Sequence, residues 1–323
     1  LDHNLYRSTG ELWVPPGGRG VFGGQVVAQA LAAASNTVPN NYRIHSLHSY
    51  FVQASQGTMP ILYQVERVRE GTTFCTRIVK AIQRGQCCFS LMCSFQAPRE
   101  NGPVHQEPMP DVPPPEALLS DSERFQQWAN SGAGSYAFYS YAKVKAEKYS
   151  PAEIRLCNPP SVRDTLIQTS KPPRTNAWIR FKEKLDSPSC YASALAYCSD
   201  FLLVVPPALP HGLTVFSNPR RLALCVSLDH SIWFHAPFDP NEWLLYSMQS
   251  PRTADGRGLA FGYVYNQSGT LVATISQECT LVDHDTPSEF QVDPITLLPL
   301  ENKSRKSVKA TSGKVPQTPK ARL

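Results

Sequence analysis

The sequence lacks a Cys-x-x-Cys pair, and its His and Cys residues show no spacing typical of metal ligands. We therefore predict no metal site and no cofactor. The sequence also lacks the Gly-x-Ser-x-Gly elbow of serine hydrolases, so an acylated serine is not expected. There are nine cysteines, an odd number, and Cys87, Cys88 and Cys93 share one apolar run. We interpret the cysteines as free thiols in a reducing compartment.

Long apolar runs and evenly spread charge are also missing. No run approaches the roughly 18–20 apolar residues of a membrane span, so we expect no membrane partner. The net charge is +5, but residues 303–323 alone carry seven Lys and Arg and no acid. The rest of the chain is close to neutral, which argues against a nucleic-acid partner. We predict that residues 291–323 form a disordered basic tail.

The remaining sequence has an internal repeat. Two small-residue segments, Gly23–Ala34 and Tyr191–Ser199, predict buried helices, and strand-like runs surround each of them. Short matches recur 181–183 residues apart, and one of them aligns His48 with His230. We infer a duplicated unit of one helix and several antiparallel strands. The predicted domains are residues 1–100, a Pro-rich linker with a helix at 101–172, and residues 173–290.

A candidate water-binding site lies in the second half. The helix Tyr191–Ser199 is followed directly by Asp200, and the run Leu224–Phe234 alternates as a strand does. Its alternation predicts Ser227 and Asp229 on one face. A buried carboxylate beside a hydroxyl can orient a water molecule. From the residues alone, Asp200 could equally be an ordinary polar residue that ends a helix.

Gly18, Gly20 and Gly23 formally satisfy the Gly-x-Gly-x-x-Gly pattern of dinucleotide sites. Such a site needs a preceding strand and an acidic residue about 20 positions later. Neither is present, because Pro15-Pro16 precedes the glycines and the later region holds Arg43. We instead predict that Arg19 and the helix start at Gly23 and Gly24 contact a phosphate or carbonyl oxygen of a substrate.

Several motifs together resemble the type II acyl-coenzyme A thioesterases, the TesB-like family, and within it the peroxisomal members. These motifs are FGGQVVAQAL at Phe22–Leu31, HSLHSYF at His45–Phe51, SLDHSIWFH at Ser227–His235, and the pairs Ser199-Asp200 and Gln277-Glu278. The resemblance covers about residues 1–290. It implies an α+β double hotdog, in which two antiparallel sheets each wrap around a long helix.

The resemblance also implies the site and the partners. The family's catalytic trio of aspartate, hydroxyl residue and glutamine falls on Asp200, Ser227 and Gln277, although many members carry threonine where this chain has Ser227. It implies an acyl-CoA substrate and a homodimer. We place three residues behind the trio as supporting groups: Asp229, His48 and His230. A hotdog enoyl-CoA hydratase and a non-catalytic acyl-CoA-binding protein remain alternatives.

The chain ends in Ala321-Arg322-Leu323. This tripeptide resembles the small-basic-leucine address of peroxisomal matrix proteins. We therefore expect a peroxisomal import receptor as a partner and the peroxisome matrix as the location.

Overall fold

The computed structural model describes residues 3–16, 18–99, 102–185 and 187–300. Residues 291–300 of the tail predicted as disordered at 291–323 are described, and Val292 is buried against Phe125 and Trp128. The part from residue 301 onward, with the terminal tripeptide, lies outside the described residues. The α-helices are α1 (Gly23–Ser35), α2 (Asp121–Asn130), α3 (Tyr136–Glu147), α4 (Val162–Leu166) and α5 (Tyr191–Ser199). The strands of the first half are β1 (Leu5–Arg7), β2 (Arg43–Phe51), β3 (Leu62–Glu70), β4 (Phe74–Gln83) and β5 (Gln86–Gln96). The strands of the second half are β6 (Ala152–Leu156), β7 (Arg174–Phe181), β8 (Arg220–Leu224), β9 (Asp229–Phe234), β10 (Leu244–Ala254), β11 (Arg257–Tyr265), β12 (Leu271–Thr280) and β13 (Val282–Asp285).

Eleven strands form one antiparallel sheet that runs through both halves. Its order is β1-β3-β4-β5-β2-β9-β12-β11-β10-β7-β6, and β2 and β9 join the halves in the middle. β8 and β13 form a separate two-stranded sheet. The expected α+β arrangement of two antiparallel units is therefore confirmed.

The helices α1 and α5 pack against each other on one face of the sheet. Both consist mainly of small apolar residues, and one hydrophobic core contains Ala30 and Leu31 from α1 with Leu195 and Ala196 from α5. The approach is close, because a Cβ atom at Gly24 would overlap the backbone carbonyl oxygen of Tyr197. The start of α1 consequently lies beside the end of α5.

The segment predicted as a linker contains regular structure. Helices α2 and α3 pack together around Phe125, Trp128 and Phe138, and a capping box of Ser120 and Glu123 starts α2. Strand β6 pairs with β7 and forms one edge of the large sheet. Its sequence, AEIRL, is too short and too charged to show a strand pattern. The domain boundaries stay a prediction.

The predicted strand Leu224–Phe234 is wrong as one continuous element. β8 ends at Leu224 and β9 begins at Asp229. Ile232 pairs with Ile275, whereas Ser227 pairs with Cys279. The segment from Ser227 to Ile232 is therefore one residue longer than the segment of β12 that it faces. Such a bulge shifts the alternation by one residue. Ser227 and Asp229 therefore do not share a face as predicted, and the buried His230 takes the inward position.

The predicted equivalence of His48 and His230 is also wrong. His48 pairs with Ser231 and hydrogen-bonds its hydroxyl, whereas His230 is fully buried. Neighbouring residues of a strand face opposite sides, so an alignment that is wrong by one residue exchanges the two faces. The buried tyrosines Tyr63 and Tyr246 occupy matching positions in the two halves. Counting the paired residues across each half of the sheet from these tyrosines makes Leu47 the equivalent of His230.

Every helix in the described part of the chain is too short or too polar to span a bilayer. All nine cysteines are free, as expected, and most of them are buried.

Candidate active site

Asp200 is the central residue of the site. It follows the last turn of α5 and is only 8% exposed. Its Oδ2 atom accepts a hydrogen bond of 2.8 Å from the backbone N–H of Gly24 in the first turn of α1. A helix N-terminus favours negative charge, so α1 of the first half stabilises the carboxylate of the second half. The site therefore depends on both halves of the chain.

Ser227 and Gln277 complete a hydrogen-bonded trio with Asp200. The Ser227 hydroxyl donates to Asp200 Oδ1 at 3.4 Å, and it accepts from Gln277 Nε2 at 2.8 Å. The bulge before β9 turns Ser227 inward, and β12 carries the buried Gln277. The three predicted catalytic residues thus lie together, although they are far apart in sequence.

Further polar groups lie behind the trio. The side-chain oxygen of Gln277 accepts from Nδ1 of His230, and His230 Nε2 lies 2.8 Å from the Ser199 hydroxyl. Tyr246 donates its hydroxyl proton to the carbonyl oxygen of Ser199 at 2.9 Å. From the sequence, Tyr246 was not predicted as part of the site, and Ser199 was named only as the neighbour of Asp200 in a motif.

Burial controls the ionisation of this site. It raises the pKa of Asp200 to about 7, against the opposing effect of the hydrogen bonds from Gly24, Ser227 and Gln277. Burial also lowers the pKa of His230 to about 4, so its imidazole is neutral at physiological pH. Near neutral pH, Asp200 can therefore accept a proton and release it again, as a general base and acid must.

The other predicted residues occupy different places. Gly23 contacts the carboxylate region, because a Cβ atom there would lie 2.7 Å from Asp200 Oδ2. Arg19 is exposed. Asp229 accepts from the backbone N–H of Glu278 at 2.8 Å and lines an outer cavity with His48. The structure therefore does not bring Asp229 and His48 to the trio, but it does bring His230.

Two alternative chemistries find little support here. The Cys198 thiol is buried, which raises its pKa to about 12, so it is a poor nucleophile. Within the described residues, no three His, Cys, Asp or Glu side chains come together as a metal site would require. The arrangement instead suits a positioned water with a carboxylate as base.

Among its described residues, the first half carries no matching set of groups at the equivalent strand positions. By the strand ladders, Cys93 corresponds to Gln277, and Arg77 corresponds to Ala260. Arg77 is fully buried and fills the space beyond α1 with hydrogen bonds to Thr37, Glu70 and backbone carbonyls. A buried guanidinium bonded to Thr37, just after the end of α1, therefore occupies this region of the first half.

Two family models match the chain. Residues 11–96 match the model of the acyl-CoA thioesterase N-terminal domain, and residues 115–281 match that of the C-terminal domain. Acyl-coenzyme A thioesterase 8 of Rattus norvegicus is 38% identical over 294 residues, which are 90% of this chain and 89% of the relative. The peroxisomal acyl-coenzyme A thioester hydrolase 1 of Saccharomyces cerevisiae is 28% identical over 311 residues, 82% of this chain and 86% of the relative.

Solved structures agree with these matches. The acyl-CoA thioesterase II TesB2 of Mycobacterium marinum is 31% identical, with a TM-score of 0.64 over 90% of this chain and 95% of that chain. A protein of Alicyclobacillus acidocaldarius described as having a hot dog fold is 19% identical, with a TM-score of 0.65 over 89% of this chain and 95% of that chain. The expected double hotdog is thereby confirmed.

Proposed function

Since the chain belongs to the type II acyl-CoA thioesterase family and is a thioester hydrolase, we propose that it cleaves fatty acyl-CoA by direct attack of water. Asp200, Ser227 and Gln277 would hold that water. The observation that carries the proposal is the buried carboxylate of Asp200, with a pKa of about 7 and hydrogen bonds from Gly24 and Ser227. A base with a pKa near the working pH combines a useful ionised fraction with useful basicity.

The proposed reaction has two steps. In the first, the water oxygen bonds to the thioester carbon, Asp200 takes the water proton, and the carbonyl oxygen becomes an oxyanion. In the second, the oxyanion collapses, the carbon–sulfur bond breaks, and Asp200 returns the proton to the departing sulfur. The products are a carboxylic acid and free CoA, and no residue of the chain becomes acylated.

The oxyanion needs hydrogen-bond donors placed in advance. α1 begins without a side-chain N-cap. The N–H of Gly24 binds Asp200, and the N–H groups of Gln25 and Val26 reach the carbonyl oxygen of Phe22, which leaves the N–H of Gly23 at this helix end for a ligand. We assign the N–H of Gly23 to the thioester carbonyl oxygen, and the N–H of Gly24 to Asp200.

The test is free-thiol release from a panel of acyl-CoA esters. Asp200→Asn and Ser227→Ala should each lower kcat, by roughly 10²–10⁴-fold for the loss of the base. Asp229→Asn is the matched control, because Asp229 lies beside the outer cavity and not at the trio. Equal activity of Asp200→Asn and the unmodified protein would refute the assignment of the base. Tight acyl-CoA binding without thiol release from the unmodified protein would favour a binding protein instead.

A hydratase finds less support in the geometry. It would need a histidine whose ring nitrogen reaches the substrate. Both ring nitrogens of His230 already have hydrogen-bond partners, in Gln277 and Ser199, and the ring is fully buried.

Substrate binding outside the trio is a separate proposal. The exposed guanidinium of Arg19 lies four residues before α1 and would contact a phosphate of CoA. Arg19→Ala should raise KM for acyl-CoA and leave kcat unchanged. An unchanged KM would contradict this role.

We also propose one active site per chain and a homodimer. The first half has Leu47, Cys93 and Arg77 where the second half has His230, Gln277 and Ala260, which supports a single site. The dimer is supported by the family resemblance alone. Light scattering on the purified protein would test it, and a monomeric mass would contradict it.

A peroxisomal location is supported by the name of the yeast relative and by the tripeptide Ala321-Arg322-Leu323. An import receptor would bind this tripeptide. Fusion of residues 312–323 to the C-terminus of a fluorescent protein should direct it to peroxisomes. A diffuse cytosolic signal would contradict the address.

A further inference from the structure

The hydrogen bonds behind Asp200 form a chain in which every donor can point toward the carboxylate. The Ser199 hydroxyl lies 2.8 Å from His230 Nε2 and 3.0 Å from the carbonyl oxygen of Ala196, and its single proton can be donated to either of them. His230 Nδ1 reaches the Gln277 oxygen, and Gln277 Nε2 reaches the Ser227 hydroxyl. Ser227 then donates to Asp200. A hydroxyl has one proton, so Ser227 can donate to Asp200 only if it accepts from Gln277. The hydrogen bond from Ser227 to Asp200 therefore fixes the donor and the acceptor in the bonds between Gln277 and Ser227 and between His230 and Gln277.

The side-chain amide of Gln277 has two possible orientations, and the tautomer of His230 selects between them. With a proton on Nδ1, His230 donates to the amide oxygen, and the amide nitrogen faces Ser227. With a proton on Nε2, Nδ1 becomes an acceptor and the amide would turn over. Its oxygen would then accept the Ser227 proton, and Asp200 would lose a donor. A buried carboxylate that loses a hydrogen bond is strongly destabilised.

We propose that His230 is a positioning residue, which as the Nδ1–H tautomer occupies the carbonyl oxygen of Gln277 and directs the Gln277 amide N–H groups toward Ser227 and the reacting water. Gln277 therefore acts in the reaction as a hydrogen-bond donor only. It does not hold the water through its carbonyl oxygen. The catalytic part of this inference rests on the proposed water attack, whereas the tautomer does not.

The surroundings of His230 keep its ring in place. The imidazole is fully buried, and the hydroxyl of Ser49 donates to its backbone carbonyl oxygen at 2.7 Å. Burial holds the pKa of His230 near 4, so the ring stays neutral and a single tautomer is meaningful at pH 7. In the half without a site, the equivalent residue is Leu47, which can make no such bond. The histidine is therefore present in the half that has the trio and absent from the half that has only the same fold.

Steady-state kinetics of three variants test the positioning role. His230→Leu removes the donor and should lower kcat by up to about 100-fold, the effect of misplacing a reacting group by about 1 Å. KM should change little. His230→Asn should recover much of this loss, because its Nδ2 lies as many bonds from Cα as Nδ1 of histidine. His105→Leu is the control, since His105 is exposed and lies outside the helices and strands, and it should keep full activity.

Equal losses in His230→Leu and His230→Asn would contradict a donor role and indicate that the ring only fills space. A thermal unfolding curve of each variant separates misfolding from mispositioning. A change confined to KM would also overturn the proposal.

Nuclear magnetic resonance on the unmodified protein provides a test that does not depend on activity. The chain has eight histidines, so selective ¹⁵N labelling of histidine rings gives a simple spectrum, and His230→Asn identifies the His230 signals. The expected pattern at pH 7 is a protonated Nδ1 and an unprotonated Nε2. A protonated Nε2 with a bare Nδ1 would overturn the inference even if the enzyme hydrolyses thioesters as proposed.

Discussion

Replacing Asp200 by asparagine should stabilise the folded protein at neutral pH, although we expect it to lower kcat. Asparagine has the shape of aspartate but cannot ionise. In the folded protein the carboxyl of Asp200 is buried, and its pKa is raised from 3.8 to about 7. The fold therefore prefers the protonated form, and ionisation at neutral pH opposes folding.

The size of this effect follows from the two pKa values. A difference of about 3 corresponds to about 4 kcal/mol, since each pKa unit is equivalent to about 1.4 kcal/mol. Because the folded pKa is the higher one, the free energy of unfolding is at its full value below pH 3.8. It falls as the pH rises toward 7 and is constant above that. The free energy of unfolding of Asp200→Asn should not show this decrease, because asparagine does not ionise.

The assay is thermal unfolding of both proteins from pH 4 to pH 8. An unfolding entropy of about 2.1 cal/mol/K per residue over 323 residues converts about 4 kcal/mol into a shift of about 6 °C. The Tm of Asp200→Asn relative to the unmodified protein should therefore rise by about 6 °C across this range. Asp111→Asn is the control, because Asp111 is exposed. A difference in Tm that stays constant with pH would refute the reasoning that burial disfavours the ionised Asp200.

Two further predictions concern activity. The kcat/KM of the unmodified protein should rise with pH through a midpoint near 7, because Asp200 must be ionised to accept the water proton; a midpoint near pH 4 in a thiol-release assay would contradict the raised pKa. Gly24→Ala should lower Tm by several degrees and kcat by at least about 10-fold, since the added Cβ would overlap the Tyr197 carbonyl oxygen and lie 2.6 Å from the Phe22 ring. Gly102→Ala, which meets nothing within 4 Å, should behave like the unmodified protein.

The chemistry of the site divides between the two halves of the chain in an unequal way. The second half supplies Asp200, Ser227 and Gln277, and the first half supplies the start of α1 that binds the carboxylate. At the equivalent position of the first half, Arg77 fills the space with its guanidinium. Both halves thus contribute to the shared sheet and core, while the groups to which we assign hydrolysis lie in the second half.

The extents of the helices near the site could be predicted from the sequence. The segments Gly23–Ala34 and Tyr191–Ser199 are small, apolar and nearly uncharged, so the interior of a fold is the favourable place for them, and the structure has helices there. The antiparallel strands around them could also be predicted from short-range alternation. The position of a helix and the position of a strand both depend mainly on residues that are close together in the sequence.

The trio was assigned from motifs shared with a family, and its geometry required the structure. Alternation placed Asp229 beside Ser227, but the bulge near Leu228 shifts the ladder by one residue and brings His230 inward instead. A bulge depends on how the partner strand pairs, and no local pattern encodes it. The same one-residue sensitivity of strands made the alignment of His48 with His230 wrong.

The sequence by itself therefore determined the local elements, the duplication and the kinds of side chain available for chemistry. The tertiary structure alone decided that the N–H of Gly24 reaches Asp200 across 176 residues of chain, and that burial raises the pKa of this carboxyl to about 7. The physical reason is that hydrogen-bond direction, desolvation and helix approach depend on groups brought together from distant parts of the chain. Those contacts exist only after both halves have packed into one core.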